Sequence, residues 1–140
     1  MDSGFAKGDQ RTLAFVISAA DMLAFSRASG DTSLIHTDPS FAKANGFREP
    51  IVYGAQMMAK LSQMLGTLLP GSRGVSLGWS IEFEKPLYAG EPAELTMTVD
   101  HVSEAVGVLS CSFDIKRGVD RIAKGRTTSK LLKPESAQKA

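Results

Sequence analysis

The chain has 140 residues, 43% hydrophobic and 22% charged, the composition of one ordinary globular domain with no need of metal or disulfide staples. Its net charge is +1, with sixteen Lys+Arg against fifteen Asp+Glu, so it has no broad field for nucleic acid or anionic lipid. One cysteine, Cys111, excludes an internal disulfide, and two histidines besides argue against a protein-only metal cage.

No secretory h-region or bilayer-spanning run is present, so the expected setting is cytoplasmic, away from membrane. The expected organisation is a single domain over 1–140, with loose ends at about 1–10 and 133–140.

Residues 11–17 read as a strand with Leu13, Phe15 and Ile17 on one face. Ser18-Ala19-Ala20-Asp21 fits a capping box opening a helix that carries Met22, Leu23 and Phe25, and Gly30 ends it. Asp31 to Thr37 reads as a polar loop. Asp38-Pro39 starts a short helix through Phe41, Ala42 and Ala44. Pro50 to Leu69 is the main helix, with Met57, Met58, Leu61, Met64, Leu65 and Leu68 at helical spacing. Its part from Gly54 to Leu69 would span roughly 24 Å, and Pro70-Gly71 stops it.

After that the period changes to two. Trp79, Ile81 and Phe83 form one alternating set, Leu95, Met97 and Val99 a second, and Leu109, Cys111, Phe113 and Ile115 a third. A last strand runs from about Arg121 to Leu132. Pro86 to Pro92, Ser103-Glu104 and Arg117-Gly118 mark the turns. The expected fold class is α+β: four late strands in a meander, forming a curved antiparallel sheet wrapped around the long helix.

One loop carries chemistry. Asp31 and His36 stand five apart between two helix signals, and a carboxylate beside an imidazole can hold a water and handle protons near neutral pH. Spacing alone leaves another reading open, in which Asp31 caps a turn and His36 is a hydrogen-bonded surface residue.

Two further stretches bear on that choice: Phe47-Arg48-Glu49-Pro50-Ile51-Val52-Tyr53-Gly54, and Phe83-Glu84-Lys85-Pro86-Leu87-Tyr88-Ala89-Gly90-Glu91. With Gly30-Asp31-Thr32-Ser33-Leu34-Ile35-His36-Thr37-Asp38, they resemble the MaoC-like family of (R)-specific enoyl-CoA hydratases, over about residues 12–132. The family's pattern runs Gly-Asp-x-Asn-Pro-x-His-x-Asp, then Phe…Ile-Val-His-Gly-Met, a helix, and Phe…Pro-Val-x-x-Gly-Asp.

The resemblance implies a hot-dog fold, a homodimer, and addition of water to trans-2-enoyl thioesters carried on coenzyme A or an acyl-carrier protein. It implies no cofactor and no metal. It makes Asp31 and His36 the catalytic pair, with Asp31 the base toward water and His36 the acid toward the α-carbon. Gly54 matches the glycine whose N–H, at the positive end of a helix dipole, binds the thioester oxygen. Ser62 matches a serine that supports the pair from the long helix. A solvent-facing or backbone-bonded serine is the plainer alternative for it.

The departures are Ser33 for Asn, Leu34 for Pro, Tyr53 for His and Ala55 for Met. Ser33 still donates, over a shorter reach, and Tyr53 changes a pocket wall or a loop contact. These departures motivate a rival reading, a non-catalytic acyl-thioester-binding partner subunit. A hot-dog thioesterase is a further rival, but no Asp or Glu occurs from Tyr53 to Leu69 to attack a thioester. His101 reads as a surface residue and Cys111 as core packing. Lys85, Lys116, Arg117, Arg121, Lys124 and Arg126 read as a solvated face before they read as phosphate ligands.

Overall fold

The computed structural model describes residues 3–133. In chain order the elements are β1 (Gln10–Phe15), α1 (Ala19–Ser29), α2 (Leu34–Thr37), α3 (Pro39–Ala44), α4 (Gly54–Thr67), β2 (Gly74–Phe83), β3 (Ala93–Ser103), β4 (Val108–Arg117) and β5 (Asp120–Leu131). The five strands form one antiparallel sheet in the order β1-β3-β4-β5-β2. Met57, Leu61, Met64 and Leu65 of α4 share one core with Leu95, Met97 and Val99 of β3 and Leu109, Cys111, Phe113 and Ile115 of β4. The packing is therefore the α+β arrangement expected of a hot-dog fold, sheet against long helix.

Local signals act as expected. The Asp21 N–H donates to Ser18 Oγ at 3.0 Å, and Ser18 N–H donates to Asp21 Oδ2 at 2.9 Å. Gly30 ends α1 in the left-handed region at φ 76°, its N–H bonded to the Ser26 carbonyl. Asp38 caps α3 through Ser40 and Phe41, with Pro39 in the first turn. The β4–β5 turn, Gly118-Val119, has φ 59° at Gly118, where only glycine is unstrained.

Several expectations are corrected. The late strands do not form a simple meander: β3, β4 and β5 do, but β2 pairs with β5 at the far edge. Short turns dictate neighbours, whereas residues 84–92, with Pro86 and Pro92, are too long a connection to force β2 beside β3. The main helix begins at Gly54, not Pro50. Residues 51 and 52 are extended instead, with Ile51 N–H bonded to the Ile35 carbonyl and Val52 N–H to that of Leu87.

The loop expected at 31–37 contains the single turn α2, closed by Asp38 N–H on the Leu34 carbonyl. Within the expected loose N-terminus, residues 3–10 are tied down. Ser3 N–H and Oγ–H donate to the Glu104 carboxylate, and Gly8 N–H donates to the Val99 carbonyl. Of the expected C-terminal tail, 134–140 lie outside the described residues, as do residues 1–2.

Candidate active site

Asp31 follows the glycine that stops α1, so the helix end positions it. Its carbonyl accepts from Ser26 Oγ at 3.0 Å and from the Tyr53 hydroxyl at 2.7 Å. Its carboxylate accepts from the Ser33 N–H at 3.0 Å and from the Ser33 hydroxyl. The hydroxyl first, and then the N–H, hold the carboxyl below the ordinary aspartate range; partial desolvation opposes them, and the charge of His36 adds to the lowering. Ser33 thus favours the charged form of the Asp31 carboxyl.

His36 rides on α2. Its Nδ1 lies 2.7 Å from the Ile51 carbonyl oxygen. A carbonyl can only accept, so Nδ1 carries the proton and Nε2 is the nitrogen left for chemistry. The imidazole stacks on the Tyr53 ring, with centroids 4.0 Å apart and planes 24° apart. The Ile51 carbonyl is fixed in turn by the extended segment at 51–52, which the bridge from Ile51 to Tyr88 anchors.

Two cavities meet at His36. One, of about 400 Å³, includes His36, Val52, Gly54, Met57 and Phe83 in its wall. The other, of about 390 Å³, lies between α1 and residues 49–50 and includes Met22, Leu23, His36 and Glu49. Gly54 is the first residue of α4, and no side chain caps that terminus. Unpaired N–H groups and the positive end of the helix dipole therefore adjoin the His36 cavity. A Cβ on Gly54 would lie 2.7 Å from Phe83 Cζ, so any larger residue there requires that ring to shift.

The structure thus brings together His36 and Gly54 in one wall, and Asp31, Ser33, Tyr53 and His36 through contacts. The Asp31 side chain is in the wall of neither cavity. Of the two roles expected for Tyr53, a pocket wall or a loop contact, the structure shows the loop contact: the residue is 1% exposed, packed between His36 and Phe25, with its hydroxyl on the Asp31 carbonyl. Ser62 is not beside the pair within the chain. It is exposed and lines a separate groove with Leu65, Gly66 and Pro70, because eight residues of helix separate it from Gly54 by roughly 12 Å. The cavity beside Leu23 had no local signal in the sequence; Ile51 and Phe83 stand in the stretches that carry the family resemblance, but their places beside His36 and Gly54 depend on the tertiary structure.

Burial pushes the Cys111 thiol up to about 11, as befits core packing. Arg117 pairs with Glu91 and Asp120, Arg121 with Glu84, and Lys85 with Asp120, so these cations are engaged within the chain. Among the described residues no cluster of three or more His, Cys, Asp or Glu is placed to hold a metal ion. Among them, too, no helix is long and apolar enough to cross a membrane.

A five-stranded antiparallel sheet against a long helix, with an imidazole in the cavity at that helix's N-terminus, is the arrangement of a hot-dog protein. The chain belongs to the MaoC-like domain family, which matches residues 5–111. It is 32% identical over 105 residues to the (R)-specific enoyl-CoA hydratase of Aeromonas caviae, spanning 74% of this chain and 78% of that protein. It is 28% identical over 123 residues to the 3-hydroxybutyryl-CoA dehydratase of Methylorubrum extorquens, spanning 86% and 77%. The solved structure of an A. caviae (R)-hydratase involved in PHA biosynthesis superimposes with a TM-score of 0.85 at 29% identity, over 91% of this chain and 97% of that one.

Proposed function

We propose that the protein is an (R)-specific enoyl-CoA hydratase, and in reverse a 3-hydroxyacyl-CoA dehydratase. The observation that carries the mechanism is the shared wall: the His36 imidazole and the α4 N-terminus at Gly54 face one cavity.

In the forward direction the oxygen of a water bonds to the β-carbon of a trans-2-enoyl thioester. Asp31, whose charged form Ser33 favours, takes a proton from that water. Electron density moves to the thioester oxygen as an enolate, which the Gly54 N–H stabilises. The imidazolium of His36, held by Nδ1–H on the Ile51 carbonyl, delivers a proton from Nε2 to the α-carbon. One bond to oxygen and one to hydrogen form as the double bond is lost, and the pair is left with its proton count unchanged. The polarised carbonyl is the electron sink, so no metal or redox cofactor enters the scheme.

The acyl carrier is assigned as coenzyme A or an acyl-carrier protein. The lone buried thiol calls for no oxidising compartment and supports the cytoplasm. A homodimer is supported by β2, an edge strand with Val75, Leu77 and Phe83 at 44%, 58% and 50% exposure; such an edge needs a partner or cover. Light scattering at micromolar protein is expected to return twice the 14.9 kDa chain mass, and a monomer mass would overturn the dimer.

Incubation with crotonyl-CoA tests the activity. The expected result is loss of the enoyl absorbance without release of thiol. Thiol release would instead identify a thioesterase, and neither change would identify a non-catalytic binding subunit.

A further inference from the structure

Tyr53 contacts Asp31, His36 and the first turn of α4 from a buried position. Its hydroxyl donates to the Asp31 carbonyl at 2.7 Å. Its ring stacks on the His36 imidazole with a 4.0 Å centroid separation. Its own carbonyl accepts the N–H groups of Gln56 at 3.0 Å and Met57 at 3.4 Å, closing the first turn of α4 directly after Gly54. Phe25 of α1 packs on the same ring at 4.7 Å, and the residue is 1% exposed, so the tyrosine has no freedom to move away.

Each contact restrains a different degree of freedom. The stack fixes the tilt of an imidazole that is otherwise held only through Nδ1. The hydroxyl fixes the backbone of Asp31, and with it the carboxylate that Ser33 orients. The carbonyl fixes where α4 begins. A histidine, which the hydratase pattern has here, cannot do all of this from the same backbone: its ring is shorter than a phenol and would not carry a donor as far as the Asp31 carbonyl. Ser33 and Tyr53, two of the four departures from the motif, therefore both bond to Asp31 in the structure.

We propose that Tyr53 is the positioning residue of the hydration site, setting the His36 ring and the Asp31 loop relative to Gly54 without contacting substrate. This rests on the hydratase reading. A buried tyrosine with a purely structural role would alter stability alone; a positioning role moves turnover while substrate binding stays put.

The test compares Tyr53→Phe, which keeps ring and volume but removes the hydroxyl, with Tyr53→Leu, which also removes the stack. For Tyr53→Phe, kcat on crotonyl-CoA is expected to fall about tenfold, the scale of one lost hydrogen bond, with KM within about twofold. The Ser33 amide, which donates to Asp31, is expected to exchange hydrogen faster as the loop loosens. For Tyr53→Leu the fall in kcat is expected to reach ~10²-fold, the penalty of a misplaced catalytic group, with Phe at this position recovering most of it. Wild-type kcat in folded Tyr53→Phe, or a change confined to KM or to melting temperature, would overturn the proposal and leave the hydratase reading standing. Should Tyr53→Leu fail to fold, Tyr53→Phe alone decides. A wild-type protein that does not hydrate crotonyl-CoA would overturn both.

Discussion

Substituting Gly54 by alanine is the sharpest probe of oxyanion binding at the α4 terminus. The added Cβ would sit 2.7 Å from Phe83 Cζ and 3.1 Å from both Cε atoms, against 3.4 Å for ordinary contact, so the ring must retreat by about 0.7 Å. Phe83 is half exposed on an edge strand and can give way. The cost of that retreat lies near the lower end of the ~1–3 kcal/mol typical of overpacking. Replacing glycine in a helix with alanine returns ~0.4–1 kcal/mol by restricting the unfolded chain. These terms nearly cancel, so the melting temperature is expected to stay within ~4 °C of wild type.

Turnover has no such compensation. The new methyl group crowds the N–H that must approach the thioester oxygen, and loss of such a donor costs ~10²–10³ in kcat. Gly54→Val should be at least as inactive. The assay is crotonyl-CoA hydration followed by enoyl absorbance, beside thermal melts of the same samples. The double variant Gly54→Ala/Phe83→Ala separates two causes. If the methyl group blocks the donor, removing the ring leaves turnover low; if turnover returns, the displaced ring was the obstacle. Gly54→Ala at wild-type turnover would refute oxyanion binding at this terminus.

Asp31→Asn and His36→Ala are each expected to lower hydration by ~10²–10⁴-fold with circular dichroism unchanged, since both side chains lie outside the hydrophobic core; near-native rates in either would remove it from the mechanism. Ser33→Ala takes away the largest influence holding the Asp31 carboxyl low, so that pKa rises toward the ordinary aspartate value. A base must be ionised to work, so the acid limb of the pH–rate profile is expected to move to higher pH, and an unmoved limb would dissociate it from Asp31. Gly125→Ala is a stability test: its Cβ would lie 1.9 Å from the Ser80 backbone oxygen and 2.8 Å from Phe113 Cζ. Destabilisation of at least ~1–3 kcal/mol in urea melts is expected, with strain in the β2–β5 pairing, and native stability would show that the two strands can separate at that point.

The sequence by itself determined whatever depends on contacts within a turn or two. Ser18 and Asp21 open α1 and Gly30 closes it because a cap acts over three or four residues. The alternation through Leu109, Cys111, Phe113 and Ile115 assigns the inner face of β4 because side chains change sides at every residue. Asp31 and His36 were legible as candidates for the same reason: they sit in one short segment and match a family pattern in order. The tertiary structure decided what depends on distant segments meeting. It placed β2 beside β5, since no short turn tied β2 to β3. It left Ser62 in a groove away from His36, because position along α4 sets distance along its axis. And it decided between a pocket wall and a loop contact for Tyr53, making it a buried prop with its ring on His36 and its hydroxyl on Asp31, across a span of 22 residues. No periodicity or cap in the sequence encodes such a contact; it exists only once α1, α2 and the start of α4 have closed on one another.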